Sequence, residues 1–460
     1  MKKPNIVMIL IDDMGWRDLQ CFGSTFYETP NIDALAAEGT VFTQAYASCP
    51  VCSPSRASLM TGKYPARVGL THYLGGHDWG KLMEVPYVDH LPLEEYTLPK
   101  ALRDNGYHTW NVGKWHLGER EYYPEHQGFE VNLGGCSWGH PVQGYFAPWG
   151  IETLPSDVPE GTYLTDYLTD RAVELIENND GAPFFLYWSH YAVHTPIESK
   201  PEDLARFAEK ARRMKLDQID PFVEGETFPC WHKRKERVLR RLVQSDVPYA
   251  AMISNLDQNV GRLVQTLKER GEFENTIIVF TSDNGGLSTA EGSPTCNAPL
   301  SEGKGWGYEG GVRVPLIMVG PGIASHAICE TPTITPDWYP TFLELAGLPA
   351  QPQQHVDGVS IAPLLRGESM EERPLFWHYP HYGNQGGQPM AAVRRGNYKL
   401  LKFFEDNHTE LYDLSQDISE SFNLAAQQPA LAQELETLLD HWIQEVGGII
   451  PQPNPGISWD

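Results

Sequence analysis

Long apolar runs are missing from this 460-residue chain: no stretch approaches the roughly 20 consecutive apolar residues of a membrane helix. A basic excess is missing as well. Thirty-five Lys and Arg face 60 Asp and Glu, a formal net charge of −25. A nucleic-acid binder would need a basic footprint to replace released counterions, so that class is set aside. A small anionic substrate is not excluded, because the field inside a pocket can oppose the net charge. Cysteine is sparse, and the seven present lie at scattered positions that resemble no disulfide framework. No internal repeat or low-complexity tract interrupts the chain. The amino-terminal "MKKPNIVMILIDDMGW" has too short an apolar core for a signal peptide, and it runs straight into Asp12-Asp13. As written, the sequence implies a cytoplasmic protein, or a periplasmic or secreted one whose export signal was removed.

What is present is an ordinary globular composition, 41% hydrophobic and 21% charged, long enough for two domains. Four near-continuous apolar runs end in chemically capable residues. Residues 5–11 lead into Asp12-Asp13, 107–113 into Lys114 and His116, 182–189 into His190 and His194, and 275–282 into Asp283-Asn284. Such runs fit parallel strands buried on both faces. Helical patterns lie between them: 31–39, with Asn31 as N-cap, 164–179, and a long amphipathic stretch from 242. The alternation predicts an α/β fold with a large, mainly parallel central sheet sandwiched by helices. After the Pro-rich 348–358 the texture changes. Residues 391–404 and 409–415 read as antiparallel strands and 429–447 as a covering helix. The expected division is a catalytic domain, 1–364, and a smaller α+β domain, 365–460. Open parallel sheets bind ligands beyond the carboxyl ends of their strands, so four reactive strand ends predict one shared site.

The most informative stretch is "CPVCSPSRASLMTG", 49–62. Cys49 and Cys52 have the spacing of a redox dithiol or half a zinc site, yet Cys136, Cys230, Cys296 and Cys329 are isolated in sequence and supply no second half. Ser53 as N-cap, Pro54 at the first helical position and Gly62 past the end describe a short helix, with Cys52 just before it, where backbone N–H groups favour an anion. In "GYHTWNVGKWHLG", 106–118, six residues separate Gly106 from Gly113 and Trp115 stands where a nucleotide-binding loop needs Ser or Thr. That loop is therefore rejected. Asp12, Asp13, Asp283 and Asn284 are hard oxygen donors, with no imidazole or thiolate in either motif, which favours calcium or magnesium over zinc. His190 and His194 have the spacing of a zinc-protease helix, but Tyr191 replaces the glutamate such a helix requires.

Cys52-x-Pro54-Ser55-Arg56 with Leu59-Met60-Thr61-Gly62 resembles the signature of the type I, formylglycine-dependent sulfatases of the alkaline-phosphatase-like superfamily. The 106–118 stretch is similar to their second signature, and the likeness runs from Asn5 to "RRGNYKL…ELYDLSQD". The chain looks closest to bacterial polysaccharide sulfatases related to arylsulfatase A and the N-acetylgalactosamine sulfatases. The resemblance implies that Cys52 is a precursor, oxidised to formylglycine by a formylglycine-generating enzyme, with Cys49 a buried bystander. It assigns Asp12, Asp13, Asp283 and Asn284 to a divalent cation, usually calcium and less often magnesium, that also touches residue 52 and the sulfate. One hydroxyl of the hydrated aldehyde attacks sulfur, and the other then loses its proton to expel sulfate. By the same resemblance, Arg56 and Lys114 are expected to position these hydroxyls and His116 to take the second proton. His194, within "HTP", and Lys304, within "SEGKGWGYEGGVRVP", bind sulfate and protonate the departing alcohol, while His190 is structural.

For the substrate, the loops "GGHDWGK" (75–81) and "WHYPHYGNQGG" (377–387) combine aromatics, histidines and glycines. Their His77, Asp78, Trp79, His378 and His381, together with Trp306, are the expected sugar contacts, since flat apolar faces stack on sugar rings. The expectation is an exo-acting sulfatase on a galactose or N-acetylgalactosamine sulfate, with no membrane insertion. A phosphonate or phosphate ester hydrolase of the same superfamily, or a non-catalytic sulfoglycan-binding protein, is the alternative.

Overall fold

The computed structural model describes residues 2–456. Nine strands among them form one sheet. Its centre runs, in spatial order, Arg313–Val319, Thr276–Ser282, Asn5–Ile11, Phe184–Ser189, His108–Gly113 and Val131–Leu133. From Thr276–Ser282 onward every neighbouring pair is parallel. Arg313–Val319 is antiparallel to both its neighbours, Thr276–Ser282 and Thr40–Tyr46. The strands Ala327–Cys329 and Thr333–Ile334 add to the far side of Thr40–Tyr46 in parallel. The sheet is thus mixed but mostly parallel.

Every residue of Asn5–Ile11, Phe184–Ser189 and Thr276–Ser282 is buried, as strands covered on both faces must be. Two groups of helices supply the cover. Pro30–Ala37, Leu164–Glu177 and Pro201–Arg213 group around the long helix Val247–Glu269, while Cys52–Thr61 packs with Leu98–Arg103 and Trp338–Leu345. The long helix begins where Asp246 accepts a hydrogen bond from the Tyr249 backbone N–H at 2.9 Å, an N-cap contact that fixes its start.

The smaller carboxy-terminal domain carries a four-stranded antiparallel sheet in sequence order, Leu375–Tyr379, Met390–Arg395, Tyr398–Phe403 and Thr409–Asp413. Helix Pro429–Glu445 lies on it through Ala432, Leu435, Leu439, Trp442 and Ile443, the apolar stripe of a 3.6-residue period. Trp442 stacks on Phe376 with ring centres 4.7 Å apart.

Two helix starts differ from expectation. Helix Pro30–Ala37 has Thr29, not Asn31, as its N-cap residue; the Asn31 side chain instead donates to Asp257 at 2.7 Å. Helix Cys52–Thr61 starts at Cys52 itself, after Val51, so Pro54 is its third residue. Proline is tolerated there because the first four N–H groups of a helix have no intrahelical acceptor. The hairpin Phe222–Thr227 with Arg237–Arg241 is an addition that the sequence pattern does not announce.

Candidate active site

The four reactive strand ends are spatial neighbours. Thr276–Ser282, Asn5–Ile11, Phe184–Ser189 and His108–Gly113 are adjacent and parallel, so their carboxyl ends share one edge. Asp283-Asn284, Asp12-Asp13, His190 to His194 and Lys114 to His116 leave the sheet side by side. The turn after Gly113 requires glycine. Its φ is 105°, and a Cβ there would lie 1.8 Å from the Ser189 carbonyl oxygen, which accepts the Lys114 N–H at 2.7 Å. Asp13 and His116 occupy the left-handed region at φ 59° and 57°, a conformation that non-glycine residues adopt rarely and that clusters at functional sites.

Helix Cys52–Thr61 is buried along its whole length and ends at Gly62, φ 68°. Cys52 Sγ lies 3.2 Å from His116 Nδ1, and Ser53 Oγ lies 3.2 Å from the same nitrogen. Burial raises the Cys52 thiol above its ordinary range, offset in part by Lys114 and Lys304. A thiol held protonated is a poor nucleophile. One turn on, the fully buried Arg56 donates to Asp283 Oδ2 at 2.8 Å and to Ser189 Oγ at 2.6 Å.

Three carboxylates and one amide form a buried cradle. Lys114 Nζ donates to Asp12 Oδ2 at 2.7 Å, Lys304 Nζ to Asp13 Oδ2 at 2.8 Å, and Asn284 Nδ2 to Asp13 Oδ1 at 2.8 Å. Asp283 Oδ1 accepts the Asp13 N–H at 3.3 Å. Two oxygens in the cradle, Asp12 Oδ1 and Asn284 Oδ1, are buried and accept no hydrogen bond. Buried acceptors are rarely left so, because a lone orphan costs about 1–3 kcal/mol. A hard divalent cation satisfies such oxygens, and the donor set fits one. Asp12, Asp13 and His194 also place ligand atoms within 4.8 Å of one another. Burial raises Asp12 well above its ordinary range despite Lys114. For Asp13 burial is outweighed by Lys304, His194 and Lys114, which hold it low.

Both candidate histidines are held toward the neutral form. Burial, then Lys114 and Arg56, hold His116 well below its ordinary value. Burial, then Lys304, push His194 to about 3. His194 Nδ1 faces the Thr195 carbonyl at 2.9 Å and donates to it, which leaves Nε2 to accept from Lys304 Nζ at 2.9 Å. His190 is buried with no hydrogen-bond partner at either ring nitrogen and packs against Trp188.

The sulfatase family profile matches residues 4–348, and one described as N-sulphoglucosamine sulphohydrolase, C-terminal, matches 303–446. The chain belongs to the sulfatase family. The N-acetylgalactosamine-6-sulfatase of Canis lupus familiaris is 32% identical over 416 residues, 86% of this chain and 71% of that protein. Arylsulfatase A of Homo sapiens is 31% identical over 494 residues, 95% of this chain and 87% of that one. Among solved structures, Ps i-CgsB in complex with k-i-k-neocarrahexaose is 31% identical, covers 96% of this chain and 93% of its own, and superposes with a TM-score of 0.76.

In this sulfatase a cavity of about 460 Å³ opens over Cys52, His116, His194 and Lys304. Its outer wall includes Tyr73, His140 and Glu291, which belong to no motif visible in the sequence, and Asn384 and Gln385 from the 377–387 loop. His140 stacks on His194 with ring centres 5.6 Å apart. Glu291 Oε1 accepts from Asn384 Nδ2 and Gln385 Nε2, both at 3.1 Å. Gly139 lies so close to His116 that a Cβ would sit 2.7 Å from the ring.

The expected sugar contacts are not on this wall. Trp306 is buried and donates to Thr289 Oγ1 and the Gln385 carbonyl, so it props the wall from behind. His378 is buried and bonded to the Ile449 carbonyl. His381 is buried and stacks on His72. These three are corrected from contacts to core residues: His378 lies in a strand of the covered antiparallel sheet, His381 in the loop after it and Trp306 in the loop before Glu309–Val312, and their rings fill buried space there. Asp78 is buried and pairs with His232 at 2.7 Å. His77 lines a separate surface pocket, and Trp79 is 42% exposed. Among the described residues no helix is long and apolar enough to cross a membrane.

Proposed function

We propose that this sulfatase removes sulfate from a terminal galactose or N-acetylgalactosamine residue, using formylglycine made from Cys52 and a calcium ion held by Asp12, Asp13, Asp283 and Asn284. Hydrolysis of sulfated carbohydrate follows from the family. The observation that carries the finer reading is the 3.2 Å approach of Cys52 Sγ to His116 Nδ1 above a cradle with two unsatisfied oxygens. Sγ stands in for a hydroxyl oxygen of the hydrated aldehyde. When bound, the cation supplies positive charge beside the sulfate oxygens, and the aldehyde hydrate supplies the attacking oxygen.

The chain's own groups do the rest. Neutral His116 accepts the proton at the position of Sγ, through Nδ1. Arg56 and Lys114 fix the carboxylates of Asp283 and Asp12 and so hold the cradle in register. Lys304 and His194 share one hydrogen bond, which keeps a proton available on the side of the departing alcohol. Positive groups placed where negative charge develops are the largest source of rate in such sites. Burial of the whole group excludes water and strengthens each interaction. The galacto reading is supported by a relative named an N-acetylgalactosamine-6-sulfatase. Exo action is supported by the volume of about 460 Å³, at the small end of the ~300–1,000 Å³ of ligand pockets.

Peptide mass spectrometry distinguishing thiol from aldehyde at residue 52, paired with rates on defined sulfated monosaccharides and on nitrophenyl sulfate and phosphate, tests this. An unmodified thiol in fully active protein defeats the mechanism. Faster phosphate than sulfate hydrolysis defeats the choice of ester.

A further inference from the structure

A second cluster of ligating side chains lies outside the catalytic cavity. Asp78 comes from the 75–81 loop, and Cys230 and His232 from the tip of the hairpin Phe222–Thr227 with Arg237–Arg241. Their carboxylate oxygen, Sγ and imidazole nitrogen all lie within 4.8 Å of one another. His232 Nδ1 and Asp78 Oδ1 are already 2.7 Å apart. We propose that Asp78, Cys230 and His232 form a second metal site, suited to zinc or a similar borderline divalent ion, which clips the 75–81 loop to this hairpin.

The donor chemistry separates it from the cradle. One thiolate, one imidazole and one carboxylate make the set that zinc and cobalt take, whereas calcium and magnesium prefer oxygen alone. A tetrahedral zinc holds such ligand atoms about 3.3–3.6 Å apart, so small rotations of three side chains complete the geometry. Thiolate and carboxylate together balance the charge of the ion. The neighbouring cation Lys233 has its Nζ committed elsewhere: it donates to the Asn384 carbonyl at 2.9 Å and sits over the Phe228 ring. Asp78 and Cys230 are buried, while the His232 side chain is 50% exposed. The ion therefore has an entry from solvent, and a water can fill the fourth position.

The two segments also meet through the backbone. The Trp231 N–H donates to the Trp79 carbonyl at 2.8 Å, and a Cβ on Gly80 would lie 2.6 Å from the Pro229 carbonyl. Through Lys233 the hairpin tip reaches Asn384 on the catalytic wall. An ion at the tip would fix the loop and this wall together.

Cobalt titration of the full-length, calcium-saturated protein tests the proposal. The expected result is one Co²⁺ per chain with a near-ultraviolet thiolate-to-cobalt charge-transfer band, displaced by one equivalent of Zn²⁺. Cys230→Ser should abolish the band, Cys52→Ala should leave it, and His232→Ala, at a half-exposed position, should weaken binding at least tenfold. Absence of the band in wild-type protein, its survival in Cys230→Ser, or its loss in Cys52→Ala would each overturn the assignment. The catalytic reading stands or falls separately, on the state of residue 52.

Discussion

Two buried ionic clusters in this molecule differ in one respect, and the difference separates structure from function. The first is the catalytic cradle. The second joins the two sheets: Lys399 Nζ lies 2.9 Å from Glu309 Oε1 and 3.0 Å from Glu420 Oε1, with all three side chains fully buried. Tyr46 donates to Glu309 Oε2 at 2.7 Å, the Glu309 N–H donates to Glu420 Oε2 at 2.7 Å, and Arg313 completes the set at 3.3 Å from Glu309. Tyr46 and Arg313 belong to the large sheet and Lys399 to the small one. In this cluster three of the four carboxylate oxygens accept a hydrogen bond, and the fourth, Glu420 Oε1, accepts none but lies 3.0 Å from the Lys399 ammonium. In the cradle, Asp12 Oδ1 has only the Arg56 guanidinium at 3.9 Å, and Asn284 Oδ1 accepts no hydrogen bond. A closed network holds two domains together, and an open one asks for a ligand.

The sharpest break in the comparison comes from chemistry alone. Cys52→Ala should reduce turnover on a sulfated monosaccharide to background while leaving the melting transition near that of the unmodified protein. Lys304→Ala comes next, since removal of acid assistance typically lowers rate about 10²–10⁴-fold. The same substitution strips Asp13 of its 2.8 Å partner, so single-turnover rates are the appropriate measurement. Loss below tenfold would remove Lys304 from the leaving-group side.

Glu309→Gln attacks the other cluster. Removing one member of a buried ion pair costs about 3–5 kcal/mol, because Lys399 is left without its closest counter-charge. Chemical denaturation should show that loss, whereas kcat measured on the folded fraction should hold. The converse is metal removal. After chelation, calcium added at 100 times its Kd should raise stability by about 2.7 kcal/mol. That gain should persist in Glu309→Gln and vanish in Asp283→Asn. A gain that survives Asp283→Asn would place the ion elsewhere.

The asymmetry also explains what the sequence could and could not reveal. Asn5–Ile11, Phe184–Ser189 and Thr276–Ser282 were legible because strands buried on both faces are apolar at nearly every position, and their polar ends marked the shared edge. The hairpin was not, because "FVEGET" and "RVLRR" are charged, partly exposed strands whose pairing depends on contacts far along the chain. Glu291 and His140 were missed for a related reason, and Asn384 was passed over within the 377–387 loop because the rings of that loop drew the expectation. Each is an ordinary polar residue in a loop, and only the fold brings it to the cavity. His378 and His381 misled in the opposite sense, since an aromatic, glycine-rich loop has the same composition whether its rings face a sugar or a core.

The finest probe of the comparison is pH. In the closed cluster, burial is outweighed by Lys399, Arg313 and Arg394, which hold Glu309 at about 2, below its ordinary 4.5. Its contribution is present above pH 4.5 and disappears as pH falls toward 2. Glu420 goes the other way: burial, only partly offset by Lys399, pushes it up to about 7. Between its ordinary 4.5 and about 7 the unfolded chain has released a proton that the folded chain keeps, so this residue lowers stability as pH rises. Glu420→Gln should therefore flatten the decline in urea melts run across that interval, by about 1 kcal/mol for each pH step of one. Parallel curves for the two proteins would mean that Glu420 is ionised throughout, with Lys399 divided evenly between its two carboxylates.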